Sequence, residues 1–241
     1  MNDTNTNAPL GERKKESFRI FDDIAQTYDS LNKVLSFGID IYWRRQIRKN
    51  LPQNAEIEVL DLATGTADVP IELIKAPNVN KILGLDLSQG MIDVGNVKID
   101  KKKLTEKITL GIGDGCNLPL EKETWDVTTV SFGIRNFPDC FKGLQEMHRV
   151  LKPGGRAMIM EFSLPASWPV RMIYLLYFRY VLPFVGNLFS GHGDAYSYLN
   201  KTVEDFPYGE EFLELMRKAG FTKVSARPLT FGIATLYIGD K

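Results

Sequence analysis

The ten residues Val59-Leu-Asp-Leu-Ala-Thr-Gly-Thr-Ala-Asp68 constrain this chain more than any other stretch. A short apolar run ends in an acid, a turn of small residues follows at Ala63 to Ala67, and a helical pattern begins near Val69. That is a strand entering a tight turn and then a helix, the opening of an open α/β sheet whose ligand sits at the carboxyl end of the strand. The turn carries one glycine, Gly65, where a dinucleotide fold has G-x-G-x-x-G. The second glycine of that pattern lets backbone approach a pyrophosphate. Its absence disfavours a nicotinamide dinucleotide and favours a ligand with a nucleoside but no phosphate, of which S-adenosylmethionine is the common one.

Alternation continues along the chain. Strand patterns fall at Glu58–Ala63, Lys81–Leu87, Lys107–Ile112, Val127–Phe132 and Arg156–Phe162, with helical patterns near Val69–Lys75, Gly90–Ile99 and Phe141–Leu151 between them. The turn chemistry of Lys152-Pro-Gly-Gly155 suits a helix stop before the fifth strand. Strand–helix alternation predicts a doubly wound, mostly parallel sheet. Two helices precede it, Glu16–Phe37 and Ile41–Leu51; in the first, Phe21, Ile24, Ala25 and Tyr28 share a face. At the C-terminal end, a helix over Tyr208–Ala219 leads to Lys223–Pro228 and Ala234–Ile238, read as an antiparallel pair at the sheet edge. Residues 1–16 read as a flexible polar tail and 17–241 as a single domain.

The balance of 30 basic against 30 acidic residues removes weight from nucleic-acid binding, which favours a basic excess. Cys116 and Cys140 have no metal-ligand spacing and read as free thiols of a reducing cytoplasm. No secretory signal and no membrane-spanning apolar run is legible, so the expected location is cytoplasmic. One segment breaks the rhythm. Trp168–Phe189, within an insertion of about 165–205, is rich in large apolar and aromatic residues. It is either a helix buried on the domain or an apolar lid or membrane-facing wall for a greasy substrate.

Candidate ligand residues cluster at strand ends. Asp86 stands 21 positions after Gly65, where an acid accepts hydrogen bonds from ribose hydroxyls; Ser88 fits the helix N-cap better than Asp86 does. Asp114 can accept an adenine amino group, with the Gly115 N–H donating to a ring nitrogen. Thr66 can meet the zwitterionic end of the cofactor. Asp61 and Asp68 flank the same loop and serve the ligand or cap backbone amides. Arg135 is a charge in a loop beside this pocket. His148 is read as facing solvent on its helix.

Several motifs together resemble the ubiquinone/menaquinone biosynthesis C-methyltransferases. They are Phe21-Asp-Asp-Ile-Ala-Gln-Thr-Tyr-Asp29, the Leu-Asp-Leu-Ala-Thr-Gly-Thr turn, Ser131-Phe-Gly-Ile-Arg-Asn136, Arg149-Val-Leu-Lys-Pro-Gly-Gly155 and Tyr196-Ser-Tyr-Leu199. The third and last are the more specific. Ala67 stands where that family usually has glycine, and Thr202 where it usually has serine. The resemblance implies a class I, Rossmann-like methyltransferase fold and S-adenosylmethionine contacts at Thr66, Asp86, Asp114, Gly115 and Ser131. It implies C-methylation of a polyprenylated hydroquinone, demethylmenaquinol or a ubiquinone-pathway precursor, without a metal. In that chemistry Arg135 would favour the phenolate, Tyr196 and Tyr198 would orient ring hydroxyls, and His192 is a candidate base. Peripheral membrane contact and a homodimer fit the resemblance but are not fixed by it. The competing readings are another small-molecule O- or N-methyltransferase, a non-catalytic cofactor-binding subunit and, third, an NAD dehydrogenase.

Overall fold

The computed structural model describes residues 17–53, 56–181 and 202–241. The expected tail 1–16 lies outside them, as does the insertion from 182 to 201, with His192, Tyr196 and Tyr198. The elements in chain order are α1 (Ser17–Leu35), α2 (Ile39–Lys49), β1 (Ile57–Leu62), α3 (Asp68–Leu73), β2 (Val79–Asp86), α4 (Gln89–Lys101), β3 (Ile108–Ile112) and β4 (Trp125–Ser131). There follow α5 (Cys140–Val150), β5 (Leu151–Phe162), α6 (Trp168–Leu176), α7 (Glu210–Lys218), β6 (Thr222–Leu229) and β7 (Ala234–Asp240).

The seven strands form one sheet in the order β3-β2-β1-β4-β5-β7-β6. The first five are parallel, and β7 runs antiparallel between β5 and β6. Strand β1 shows why the sheet is covered on both faces. Ile57 and Val59 point into one apolar layer with Trp43, Ile47, Val127 and Met158. Leu60 and Leu62 point into the opposite layer with Leu144, Met147, Phe212 and Met216. Side chains alternate along a strand, so burial of both sets requires helices on both faces. Strand order reverses at β1/β4, and the crevice outside the carboxyl ends opens there.

Local chemistry sets the helix starts. Ser88 Oγ accepts the Met91 N–H at 3.1 Å and Asp139 accepts the Lys142 N–H at 3.0 Å, each capping its helix. Ala67, before α3, takes the left-handed conformation at φ 64°, which costs a residue with a Cβ about 1 kcal/mol. The Lys152-Pro-Gly-Gly155 turn is corrected. Strand β5 already begins at Leu151, and its pairing with β4 jumps from Trp125↔Leu151 to Val127↔Arg156. Gly154, at φ 78°, absorbs the distortion, and its N–H donates to the Lys241 carbonyl. The stop signal is spent as an irregularity within the strand.

Segment 168–181 is not the buried helix of the blander expectation. Tyr174 is buried, whereas Trp168, Met172, Ile173, Leu176, Tyr180 and Val181 are exposed. His148 is corrected from solvent-facing to half-buried: its ring meets Phe221 edge-on at 5.2 Å. No helix of the described residues is long and apolar enough to cross a membrane.

Candidate active site

The β1–α3 turn is held from below and from the side. Beneath it, Asp61 is buried and accepts hydrogen bonds from Thr64 Oγ1 at 2.7 Å and from Thr129 Oγ1. Burial pushes its carboxyl up to about 7, against the pull of the two hydroxyls. Asp61 thus supports the loop from beneath. Beside the turn, Asp86 accepts the Gly65 N–H at 2.8 Å and the Ser88 N–H at 2.9 Å. Burial raises its carboxyl too, and these amides pull it back.

A cleft opens above, lined by Gly65, Asp86, Asp114, Gly115, Ser131 and Asn136 and roofed by Phe18, Phe21 and Tyr28 of α1. Asp114 Oδ1 accepts the Cys116 N–H at 2.8 Å, which shapes the loop after β3. A Cβ on Gly115 would come within 2.5 Å of the Phe137 ring, so only glycine lets this backbone edge border the cleft. Ser131 Oγ and Asn136 Oδ1 are buried with no hydrogen-bond partner among the described residues. Buried polar atoms are normally paired; two that border one cleft fit a polar ligand.

The Thr66 hydroxyl donates to Asp29 Oδ1 at 2.5 Å and accepts from Lys98 Nζ at 3.1 Å. It ties α1 to the loop. Asp22 does similar work, accepting the Gly90 N–H at 2.9 Å and the Ser88 hydroxyl. Neither acid was singled out in the sequence, because their partners lie 37 to 69 positions away.

A second cavity of about 410 Å³ adjoins the cleft, sharing Phe21, Tyr28 and Phe132 with it. Its wall is apolar: Ile20, Ile24 and Leu31 from α1, Trp43 from α2, and Phe162. Phe132 and Phe162 stack at 4.5 Å between centroids, and Trp43 packs on both rings. Arg135 is the cation set into this wall. It is buried, its Nη1 donates to Glu161 Oε1 at 2.7 Å and to the Phe132 carbonyl, and its Nε has no partner among the described residues. Its Cζ lies 5.4 Å from the Phe162 centroid. Its partner Glu161 escaped the sequence reading, although an acid at the end of the apolar run Ala157–Met160 repeats the pattern that marked Asp61 and Asp86.

A Rossmann-like sheet with a nucleoside cleft but no phosphate loop defines a class, the S-adenosylmethionine-dependent methyltransferases. A solved structure of a SAM-dependent methyltransferase from Thermotoga maritima, a possible histamine N-methyltransferase, shares this fold. Its TM-score is 0.66 at 21% identity, over 93% of this chain and 99% of that one. The sequence narrows the class: the chain belongs to the ubiE/COQ5 methyltransferase family, which it matches over residues 10–241. It is 46% identical to the ubiquinone/menaquinone biosynthesis C-methyltransferase UbiE of Geobacter sulfurreducens, over 96% of this chain and 89% of the relative. It is 41% identical to the demethylmenaquinone methyltransferase of Bacteroides fragilis, over 96% and 94%. The cofactor is S-adenosylmethionine, and the cleft lined by Asp86, Asp114 and Gly115, with the unpaired Ser131 and Asn136 oxygens, has the polar groups such a ligand needs.

Asp86→Ala is expected to weaken S-adenosylmethionine binding ten- to a hundredfold, the worth of roughly 1.5–3 kcal/mol for hydrogen bonds to a charged acceptor. It also strands two amides, so stability should fall by about 1–3 kcal/mol. Titration calorimetry with thermal melts checks both, and wild-type affinity would remove Asp86 from the site.

Proposed function

We propose that this enzyme methylates a ring carbon of a polyprenylated demethylmenaquinol, giving menaquinol. The observation that carries the reading is the apolar, aromatic cavity with one buried arginine, set directly against the cofactor cleft. Bound S-adenosylmethionine supplies an electrophilic methyl group on its sulfonium sulfur. The chain's own residues must make a ring carbon nucleophilic and hold it in line. A phenol ordinarily ionises near pH ~10, and a nearby positive charge lowers that value. Arg135, with an unpaired Nε at the cavity, is suited to favour the phenolate. Trp43, Phe132 and Phe162 offer flat apolar faces to a fused ring, and α1 forms one wall of the cavity. We assign ring orientation to Tyr196 and Tyr198 and a candidate base role to His192. The ubiquinone-pathway precursor is the second reading, since relatives named for both pathways align over the same span.

Incubating purified protein and S-adenosylmethionine with demethylmenaquinol, and separately with the ubiquinone precursor, decides between them. The expected product is menaquinol carrying one new carbon-bound methyl group. Turnover of neither quinol, or methylation on oxygen, would sink the reading.

We further propose that the cavity rim rests on a membrane. Phe37 and Phe231 are each 81% exposed, Trp168 72% and Ile173 70%. Phe37 and Ile173 line the cavity, Phe231 follows its lining residue Thr230, and exposed Arg171 and Arg179 suit anionic headgroups. Burying one such side chain is worth about 1.5–3 kcal/mol. Trp168→Ser with Ile173→Ser should therefore cut co-sedimentation with anionic liposomes at least tenfold while leaving the melting temperature near normal. Unchanged sedimentation would return the rim to ordinary surface.

A further inference from the structure

The buried charge pair at the cavity wall deepens this reading and rests on it. Glu161, the last residue but one of β5, stands one residue beyond the Ser131↔Met160 register pair, which sets it beneath the loop carrying Arg135. It is fully buried and does not line the cavity. Its Oε1 accepts from Arg135 Nη1 at 2.7 Å and from the Phe162 N–H at 2.9 Å. The carboxylate thus anchors the guanidinium through Nη1 and leaves Nε, buried, without a partner among the described residues, in a side chain that lines the cavity. A cation beside a carboxylate is a dipole, and its pull on a third charge is weaker than that of a free cation. We infer that Glu161 is a positioning residue that fixes Arg135 and sets how strongly it ionises a phenol bound in the adjoining cavity.

A phenol already resident there responds in this way. The Tyr174 hydroxyl, on α6, is held above the ordinary phenol value chiefly by burial; against that Arg135 draws it down, while Glu161, Glu204 and Tyr177 push it up. Tyr28 on α1 feels Arg135 as well. From α2 the cavity receives Asp40 and Arg44, which pair with each other at 2.6 Å and nearly cancel. Glu161 is thus the acid in direct contact with Arg135.

Glu161→Gln keeps the shape and the acceptor but removes the charge. The test uses 1-naphthol as the bound phenol, in full-length protein with S-adenosylhomocysteine, so that no methyl moves. Its ionisation is followed by absorbance from pH 5 to 11. Glu161→Gln should lower the pH of half-ionisation by on the order of one unit, about tenfold more naphtholate at neutral pH. Arg135→Ala should raise it. The alkaline-rising limb of kcat should move with naphthol in both variants, a response that loss of structure alone does not produce. Should the glutamine variant fail to fold, Glu161→Asp retains the charge one methylene further away and should give a smaller shift of the same sign. An unchanged or raised half-ionisation pH in the folded Glu161→Gln or Glu161→Asp variant overturns the role, as does failure of naphthol to bind the wild type. If naphthol obeys these shifts while no quinol is methylated, the proposed substrate falls and the role of Glu161 stands.

Discussion

Arg135→Ala is expected to lower kcat a hundred- to a thousandfold while S-adenosylmethionine affinity stays near normal. A charge acting where charge develops is worth about 2.7–4 kcal/mol, and Arg135 is the charge set into the aromatic wall of the cavity. The variant should also unfold more easily, because it leaves Glu161 buried without its cation. Breaking such a pair costs about 3–5 kcal/mol. Two effects would then be mixed, and a second substitution separates them. Arg135→Ala combined with Glu161→Gln should regain most of the stability and none of the rate. Lysine should rescue in part, since its compact ammonium can replace Nη1 between Glu161 and the Phe132 carbonyl but has no counterpart of the unpaired Nε donor. As pH approaches the ordinary phenol value of about 10, solvent supplies the phenolate and the alanine variant should recover. Near wild-type kcat at pH 7 would exclude the role. A loss constant from pH 6 to 10 would make Arg135 a structural residue.

The mostly parallel sheet, its antiparallel edge pair and the alternating helices were legible because they are repeated signals: apolar runs ending in acids, with helical periods between. The acids at those ends were legible for the same reason, and Asp86 lies at the cleft. What the sequence hid are pairings made only after the sheet is ordered. Arg135 and Glu161 are 26 positions apart and meet because β4 and β5 are neighbours. Asp29 meets Thr66 and Lys98 only once α1 has crossed the loop. The apolar face of α1 was visible as a period, but periodicity does not say what a face covers. Phe21, Ile24 and Tyr28 close a cavity. The same limit applies to Trp168–Val181, whose apolar content was plain and whose exposure was not. Asp61 looked like Asp86 in sequence, yet only one of them reaches the cleft. Residue parity along β1 turns Asp61 under the loop, between Thr64 and Thr129.

That buried position gives the second large effect, a pH-dependent stability centred on Asp61. In the unfolded chain its carboxyl ionises near the ordinary 3.8; burial, aided by the nearby charge of Asp86, pushes it up to about 7 in the fold. Between those values the folded chain holds a proton that the unfolded chain has released, and stability falls as pH rises. The contribution is complete below the unfolded value and gone above about pH 7, on the order of 3–4 kcal/mol in all. Asp61→Asn stays neutral throughout. One threonine hydroxyl can still donate to its Oδ1 while the other turns to accept from its Nδ2. The variant should therefore match the wild type only below about pH 4, melt a few degrees higher at pH 5, and gain roughly a further 5–10 °C by pH 8, given about 2–4 °C per kcal/mol for a domain of this size. Melting curves of both proteins from pH 4.5 to 8.5 check it. A gap that does not widen between pH 5 and 8 would show that Asp61 is already ionised in the fold at pH 5, so that burial does not raise its carboxyl.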